Sequence, residues 1–572
     1  MEKTWKIAPL VPSELKNKFP EINPIVLQLL INRKIDTQEK IDRFLNPDYG
    51  TDLHDPFLFS QMEKAVTRIL AAIENKEKII VYGDYDADGV TSSAVMMETL
   101  KSFEADVDIY IPYREKEGYG LNREAVSSLI KAGAQLIITV DCGISNKAEV
   151  ELAMSQNVDV IITDHHHGPK ELPEAYATIN PNVAGENYPF KSLTGCGVAF
   201  KVVQALLLQQ NKFKIKQLPE GFEKWLLDLV AIGTVADIQP LLDENRIFVK
   251  YGLVVFNKTK RLGLSELFKS LGNRTEVVDE KVIGWQIAPR INAAGRLNHA
   301  STSYELLTTN DINQAKSLTV ELSATNQERR KITDQIRKEA LKIIGPVQNQ
   351  KILIAVGDNW PTGVVGLVAG RIADTFHRPT LIISHFNGEI IGSARSIAEF
   401  NIIEAIGHSS DFLVKFGGHP QAAGFTVKDD QSLSGFIEKI TALAEEKLQG
   451  KDIAPILEIE AAIDLEEVDW DLFEDLEKFE PFGDSNPKPK FVSTGLTVIE
   501  HHKVGKDETH MRLMVTHKTP TVRKTIGFSL GEWCDKLKRG DKVDAVFEVD
   551  VNQWNGNREL QLRLIDIKKS DF

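Results

Sequence analysis

Between Lys78 and Pro181 short β-branched runs alternate with helical stretches: Lys-Ile-Ile-Val-Tyr, Val-Asp-Ile-Tyr-Ile, Leu-Ile-Ile-Thr-Val, Val-Asp-Val-Ile-Ile and Ala-Thr-Ile-Asn. Continuously apolar strands separated by helices predict a parallel sheet buried on both faces. Helical patterns follow over 194–210 and 222–237, so this α/β domain is expected to span 78–305, with 1–77 as a helical N-terminal cap. From Asn313 to Ile344 there is no proline or glycine. The Ala, Leu, Glu, Lys, Gln and Arg there predict a helix of about 30 residues, roughly 45 Å long, connecting two domains across 306–350. A second α/β domain is expected over 351–450, from the strand Ile-Leu-Ile-Ala-Val, the Gly-rich helix start at Thr362-Gly363 and the strand Pro-Thr-Leu-Ile-Ile. Beyond a connector over 451–485, residues 486–572 alternate apolar and polar positions, with Asn555-Gly556 as a hairpin turn, and predict a small β-barrel.

Composition changes this picture little. The chain has 572 residues, 42% hydrophobic and 26% charged, in keeping with several globular domains and neither a disordered nor a membrane protein. The N-terminus carries no apolar stretch followed by small residues, and the three cysteines, Cys142, Cys196 and Cys534, form no Cys-x-x-Cys pair. A reducing, cytoplasmic location is expected, without a disulfide framework or thiolate zinc site. The net charge of −14 argues against coating nucleic acid by bulk charge. Residues 452–485 hold 13 acids against one base, however, whereas 486–572 hold 16 bases against 12 acids. A nucleic-acid ligand gripped locally is therefore permitted, and the acidic stretch reads as a solvated connector.

The chemistry concentrates in Val-Tyr-Gly-Asp84-Tyr-Asp86-Ala-Asp88-Gly89, where three carboxylates at alternate positions follow a strand. They would repel one another unless a cation neutralised them. The opening matches a calcium loop, but the twelfth position from Asp84 is Val95, where a bidentate Glu is needed. Asp141 ends another predicted strand, Asp164-His165-His166 a third, and Asp237 follows an apolar helical run. In an open α/β sheet such strand ends share one edge, where ligands bind. A lone Asp after a strand is usually a helix N-cap; several at successive strand ends with a His pair point to one site. Carboxylates with imidazole and no thiolate suit Mn²⁺ or Mg²⁺. His167 reads as a solvated neighbour.

The series Asp-x-Asp-x-x-Gly, Val-Asp-Cys-Gly, Asp-His-His and Gly-Thr-x-Ala-Asp resembles the motifs of the DHH phosphoesterase superfamily. Arg290-Ile-Asn292-Ala-Ala-Gly295-Arg296, Gly392-Ser393-Ala-Arg395 and Gly417-Gly418-His419 extend the likeness to its RecJ exonuclease family, as does Pro481-Phe-Gly-Asp-Ser-Asn-Pro before the barrel. The resemblance implies a DHH domain, a DHH-associated domain and an OB-like barrel. It also implies that Asp86, Asp88, Asp141, His165 and Asp237 hold two divalent ions, with Asp141 between them and His166 toward the substrate phosphate. Many superfamily members carry a His where this chain has Tyr82; the first metal is then held more weakly, or Asp84 compensates.

By the same resemblance, Arg114, Ser393 and Arg395 receive a 5′-terminal phosphate, while Arg290, Asn292 and Arg296 hold backbone near the metals. A guanidinium forks phosphate oxygens well. Gly418 and His419 are read as a close backbone approach to a nucleotide, and Phe491, Phe528, Trp533 and Trp554 as barrel aromatics, with Trp554 the exposed one that stacks on bases. The implied activity is 5′→3′ hydrolysis of single-stranded DNA to 5′-mononucleotides in repair and recombination, by a monomer cooperating with single-strand-binding protein and a helicase. The alternatives are a DHH phosphodiesterase for short oligonucleotides or cyclic dinucleotides, and a catalytically silent DHH scaffold.

Overall fold

A computed structural model describes residues 3–272, 277–451, 453–554 and 557–570. The chain forms two compact units, one of residues 54–239 and 248–454, the other of residues 2–53, 240–247 and 455–572.

In the first unit the five apolar runs form the expected all-parallel sheet: Ile79–Gly83, Val107–Tyr110, Leu136–Val140, Asp159–Thr163 and Ala177–Ile179. In space the order is second, first, third, fourth, fifth, so the chain reverses direction at the first strand. Carboxyl ends beside such a reversal are the natural ligand crevice of an open α/β sheet. Helices Arg123–Lys131 and Lys147–Ser155 contribute to a core with Ile80, Tyr82, Ile137, Val160 and Ile162. Helix Ala87–Ser102 is buried nearly all round and packs against Gly195–Gln209 and Leu227–Ala236.

The connecting helix runs from Ile312 to Ile344. The Asp311 side chain accepts from the N–H groups of Asn313 and Gln314 at its start, and Gly345 ends it at φ 70°. It packs against Ala288–Leu297 and against Thr362–Phe376. The second sheet is mixed: Leu353–Asp358 and Thr380–Phe386 run parallel, and Glu389–Arg395, Ala422–Val427 and Leu413–His419 follow as antiparallel neighbours.

The second unit holds the expected barrel, closed by pairing of Phe491–Val504 with Lys542–Trp554. Lys542–Trp554 also pairs with Asn557–Lys569, Trp554 opposite Asn557; the turn residues Asn555 and Gly556, and the side chain of Trp554, lie outside the described residues. Phe491 is core and Trp533 half-buried, while Phe528 is 53% exposed.

Two expectations need correction. Residues 1–77 are not one helical cap: Thr4–Ile7 is a strand paired in parallel with Ile456–Ile459 in the second unit, whereas helix Met62–Glu74 belongs to the first. The acidic stretch is no solvated connector either. Leu457, Ile459, Ile463, Leu465, Val468, Leu472, Leu476 and Phe479 are buried, while most of the acids between them face out. Charge density marked the stretch as solvated, but its apolar positions have the spacing of a half-buried cover. Glu460, one of those acids, receives a fork from Arg33 at 2.5 and 2.9 Å. Arg246, 1% exposed, donates to the carbonyls of Phe44, Lys478 and Phe479 at 3.0, 2.7 and 2.7 Å and lies over the Phe44 ring.

Candidate metal centre

The carboxyl ends of the first, third and fourth parallel strands deliver Asp84 to Asp88, Asp141 and Asp164 to His166. Asp86 caps helix Ala87–Ser102, its Oδ1 accepting from the N–H groups of Asp88 and Gly89, so the ordinary capping role holds for one oxygen and leaves the other to the cluster. Asp88 accepts from Gly195 and Cys196 N–H at 2.7 and 2.9 Å, at the start of helix Gly195–Gln209. Asp141 adopts φ 61°, a left-handed conformation that Asp tolerates better than most residues. Asp237 follows the last turn of Leu227–Ala236 and accepts from Gln239.

These side chains converge. Ligand atoms of Asp84, Asp86 and Asp141 lie within 4.8 Å of one another, as do those of Asp88, His165 and Asp237 and those of Asp141, His165 and His166. Asp141 and His165 are each shared by two groups, so the three form one site. His165 Nε2 is 3.2 Å from Asp141, 3.7 Å from Asp237 and 3.9 Å from Asp88.

Burial and mutual repulsion push Asp84, Asp88 and Asp141 well above the usual carboxylate range, and burial with Asp86 beside it raises Asp237 to about 6. Burial, with His166 adjacent, lowers His165 to about 4, leaving it neutral and able to ligate. Asp84 Oδ1, Asp141 Oδ1 and His165 Nε2 are enclosed without a hydrogen-bond partner among the described residues. Orphaned acceptors on repelling carboxylates fit a divalent cation, and an oxygen-rich set with imidazole favours Mn²⁺ or Mg²⁺. Cys142 and Cys196 lie close by, but burial raises both thiols well above their usual range, away from the ligating thiolate.

Tyr82 does not enter the cluster. It is fully buried, stacks on Tyr110 at 5.0 Å and donates its OH to Gly120 O at 3.1 Å. Asp84, two residues on, lies with Asp86 and Asp141 within the cluster.

His166 differs from its neighbour. Burial opposes its charge, but Asp164, 2.8 Å from Nδ1, outweighs that and lifts it to about 9. Asp164 is itself held low by His166 and accepts from the N–H groups of Ile144, His165 and His166. Tyr119, which sequence reasoning missed because a lone Tyr in a glycine-rich loop carries no pattern, joins its OH to Asp141 O and to His166 Nδ1, each at 3.0 Å.

Asn292 Oδ1 accepts from Ala87 N–H at 2.8 Å, and a side chain on Gly295 would strike Tyr85 O. This segment therefore grips the metal-binding loop itself. Arg296 donates to Gly363 O and is depressed to about 10 by burial and by Arg114, Arg329 and Arg395 nearby. Arg290 is half-buried, its Nη1 on Gln286 O. Arg114 lies over the Tyr85 ring at 4.9 Å and lines, with Ser393, Thr362 and Lys415, a cavity of about 620 Å³. Arg395 Nη1 is 3.3 Å from Ser393 Oγ. Gly418, at φ 146°, has Ala422 O where its Cβ would stand, so the hairpin itself requires glycine there. The His419 ring is 6.4 Å from that of His167, which is exposed as expected.

An alanine Cβ at Gly195 would stand 2.4 Å from Asp141 Oδ1. Gly195→Ala is therefore expected to weaken Mn²⁺ binding in a calorimetric titration by about tenfold or more, the equivalent of a modest overpacking cost. Unchanged affinity would show that Asp141 is not held where metal needs it.

Three family models match the chain: the DHH family, N-terminal domain, over 78–234, the DHHA1 domain over 349–446 and the RecJ OB domain over 459–566. The single-stranded-DNA-specific exonuclease RecJ of Bacillus subtilis is 38% identical over 96% of this chain and 69% of its own length. That of Dickeya dadantii is 33% identical over 97% of both. The crystal structure of RecJ from Thermus thermophilus in complex with Mn²⁺ matches at a TM-score of 0.84 and 27% identity, covering 100% of this chain and 80% of that one; the same protein is also solved with Mg²⁺.

Proposed function

The chain belongs to the RecJ family of DHH exonucleases, and on that premise we propose that it hydrolyses single-stranded DNA from the 5′ end to 5′-mononucleotides, with Asp84, Asp86, Asp88, Asp141, His165 and Asp237 as its metal ligands. The observation that carries this reading is the convergence of those side chains with enclosed, partnerless ligand atoms. Held by these carboxylates and His165, two Mn²⁺ or Mg²⁺ ions would supply water activation and Lewis-acid stabilisation of charge on the scissile phosphate and the 3′ oxygen.

The remaining work falls to the protein's own groups. Asp164 fixes the His166 ring through Nδ1 and keeps it charged near neutral pH, which leaves Nε2 to donate to a phosphate oxygen. Tyr119 reaches the same Nδ1, its OH 3.0 Å away, and so helps to fix the ring. Asn292 keeps the Asp86 loop in register. Arg114, Ser393 and Arg395 receive the terminal phosphate, which sets polarity. Arg290, Arg296, Gly418 and His419 line the path of the strand, and the barrel, with Phe528 and Trp533, offers a further surface for single-stranded bases. A monomeric, cytoplasmic enzyme working with single-strand-binding protein and a helicase in repair and recombination completes the reading. Among the described residues no helix is long and apolar enough to cross a membrane.

The test compares nucleotide release from 5′-phosphorylated single-stranded DNA, duplex DNA, RNA and dinucleotides with Mn²⁺ or Mg²⁺. Release from the single strand is expected to dominate, and His166→Ala to slow it by about 10²-fold or more, the usual worth of one positioned hydrogen-bond donor to developing charge. Preference for dinucleotides would favour a short-oligonucleotide phosphodiesterase; no release from any substrate would favour a silent scaffold.

A further inference from the structure

The connecting helix carries a charge that the proposed chemistry does not use. Arg329 is only 9% exposed, and its Nε is enclosed. Among the described residues its guanidinium has no hydrogen bond and no ion pair. The acid that acts on it, Asp334, is taken by Arg371 at 2.5 Å. One turn earlier Asn326, 3% exposed, has an Oδ1 equally without a partner. Buried polar groups are nearly always satisfied, and an uncompensated buried charge is costly, so such a pair marks a place where something else completes the bonding.

The surroundings say what that is. The helix packs against Ala288–Leu297, which bears Arg296, and against Thr362–Phe376. Arg296 has Arg114, Arg329 and Arg395 as charged neighbours, with Asp86 acting in the opposite sense. At Gly366 an added Cβ would stand 3.0 Å from Ser393 Oγ and 3.2 Å from Arg395 Nη2, so that helix approaches the same pocket closely. Several guanidinium groups brought together in this way call for an oxyanion with several acceptor oxygens.

We propose that Arg329, supported by Asn326, forms with Arg296 a phosphate-binding site on the connecting helix, distinct from the metal ligands, and that the phosphate bound there ties this helix to the α/β layers on either side of it. The nuclease reading supplies the strand that brings the phosphate. The site itself depends only on the oxyanion, which inorganic phosphate also carries.

The full chain in EDTA is heated with increasing inorganic phosphate at ionic strength held constant by chloride. Wild type is expected to show a saturable rise in Tm, with a half-saturating concentration about tenfold or more higher in Arg329→Gln and intermediate in Arg329→Lys, which keeps the charge but loses the fork. With Mn²⁺ present, Arg329→Gln should raise KM for a 5′-phosphorylated strand while kcat stays within about threefold, as for a group that binds without entering the chemical step. Competition with phosphate by 5′-phosphorylated or 5′-hydroxyl oligothymidylate assigns the site to a terminal phosphate or to an internal phosphodiester; competition by neither overturns it. A wild type without a saturable phosphate response, or an Arg329→Gln variant with the wild-type response, overturns it too. Should Arg329→Gln not fold, the wild-type half-saturation in Arg329→Lys overturns it equally. A phosphate response lost in Arg329→Gln, in a protein whose wild type releases no nucleotide, would instead remove the nuclease reading and keep the site.

Discussion

Asp141→Asn will release nucleotides from single-stranded DNA about 10³-fold or more slowly than wild type, a loss of roughly 4 kcal/mol of transition-state stabilisation, while binding the strand nearly as well. Asp141 belongs to two of the three ligand groups, so one substitution disturbs both ends of the site. Asparagine keeps the shape and tolerates φ 61°, which separates lost charge from lost fold. The same variant should be more stable than wild type without metal, because it removes one of several repelling buried carboxylates. The pH dependence has a definite sign. Carboxyls whose pKa is raised on folding bind more protons in the native state, so metal-free stability should increase as the pH falls from about 8 toward 6. His166, raised to about 9, contributes in the same direction, and His165, lowered to about 4, opposes it. Melting temperatures in EDTA across this range, with and without Mn²⁺, check both claims. Near-normal turnover by Asp141→Asn would remove the two-metal assignment.

Arg246→Met should destabilise the second unit by about 3–5 kcal/mol. The substitution keeps much of the buried stem but strips donors from Phe44, Lys478 and Phe479 carbonyls. Phe479 O retains the Asn486 amide at 2.8 Å; Phe44 and Lys478 lose the guanidinium altogether. Arg246→Lys should fall between, since one ammonium cannot replace a planar fork reaching four carbonyls, that of Pro481 included. Because the metal ligands belong to the first unit, Mn²⁺ affinity of the folded variant should be unchanged. Urea unfolding gives the number, and a change below about 1 kcal/mol would show that solvent replaces the guanidinium at little cost.

Which parts of this protein could be read in advance follows from the range of the interactions involved. The parallel sheet was legible because each strand is a short apolar run buried on both faces, and its site because the carboxylates stand immediately after those runs. The connecting helix was legible from composition, starting one residue before Asn313. What escaped depended on distant partners. Nothing in Thr-Trp-Lys-Ile announces a strand until Ile456–Ile459 is beside it. The acids of 452–485 hid the apolar positions that make the stretch part of a core. Tyr82 reads as a replaced ligand, yet its ring turns into the core, while Asp84 two residues on stands within the carboxylate cluster. Arg329 passed for a good helix former, since a polar side chain on a long helix reads as solvent-facing until its neighbours are known.

The pairing of Thr4–Ile7 with Ile456–Ile459 has a consequence for how the protein comes into being. Ribosomes add about 5–20 residues per second, so the first strand waits roughly 20 to 90 s for its mate. During that interval Leu27, Leu29 and Leu30 lack the part of their finished core that Ile463 and Phe479 supply. Completion of this core therefore has to wait for the carboxyl-terminal part of the chain. A bulky fusion there should lower the yield of native protein far more than the same fusion inserted at an exposed loop.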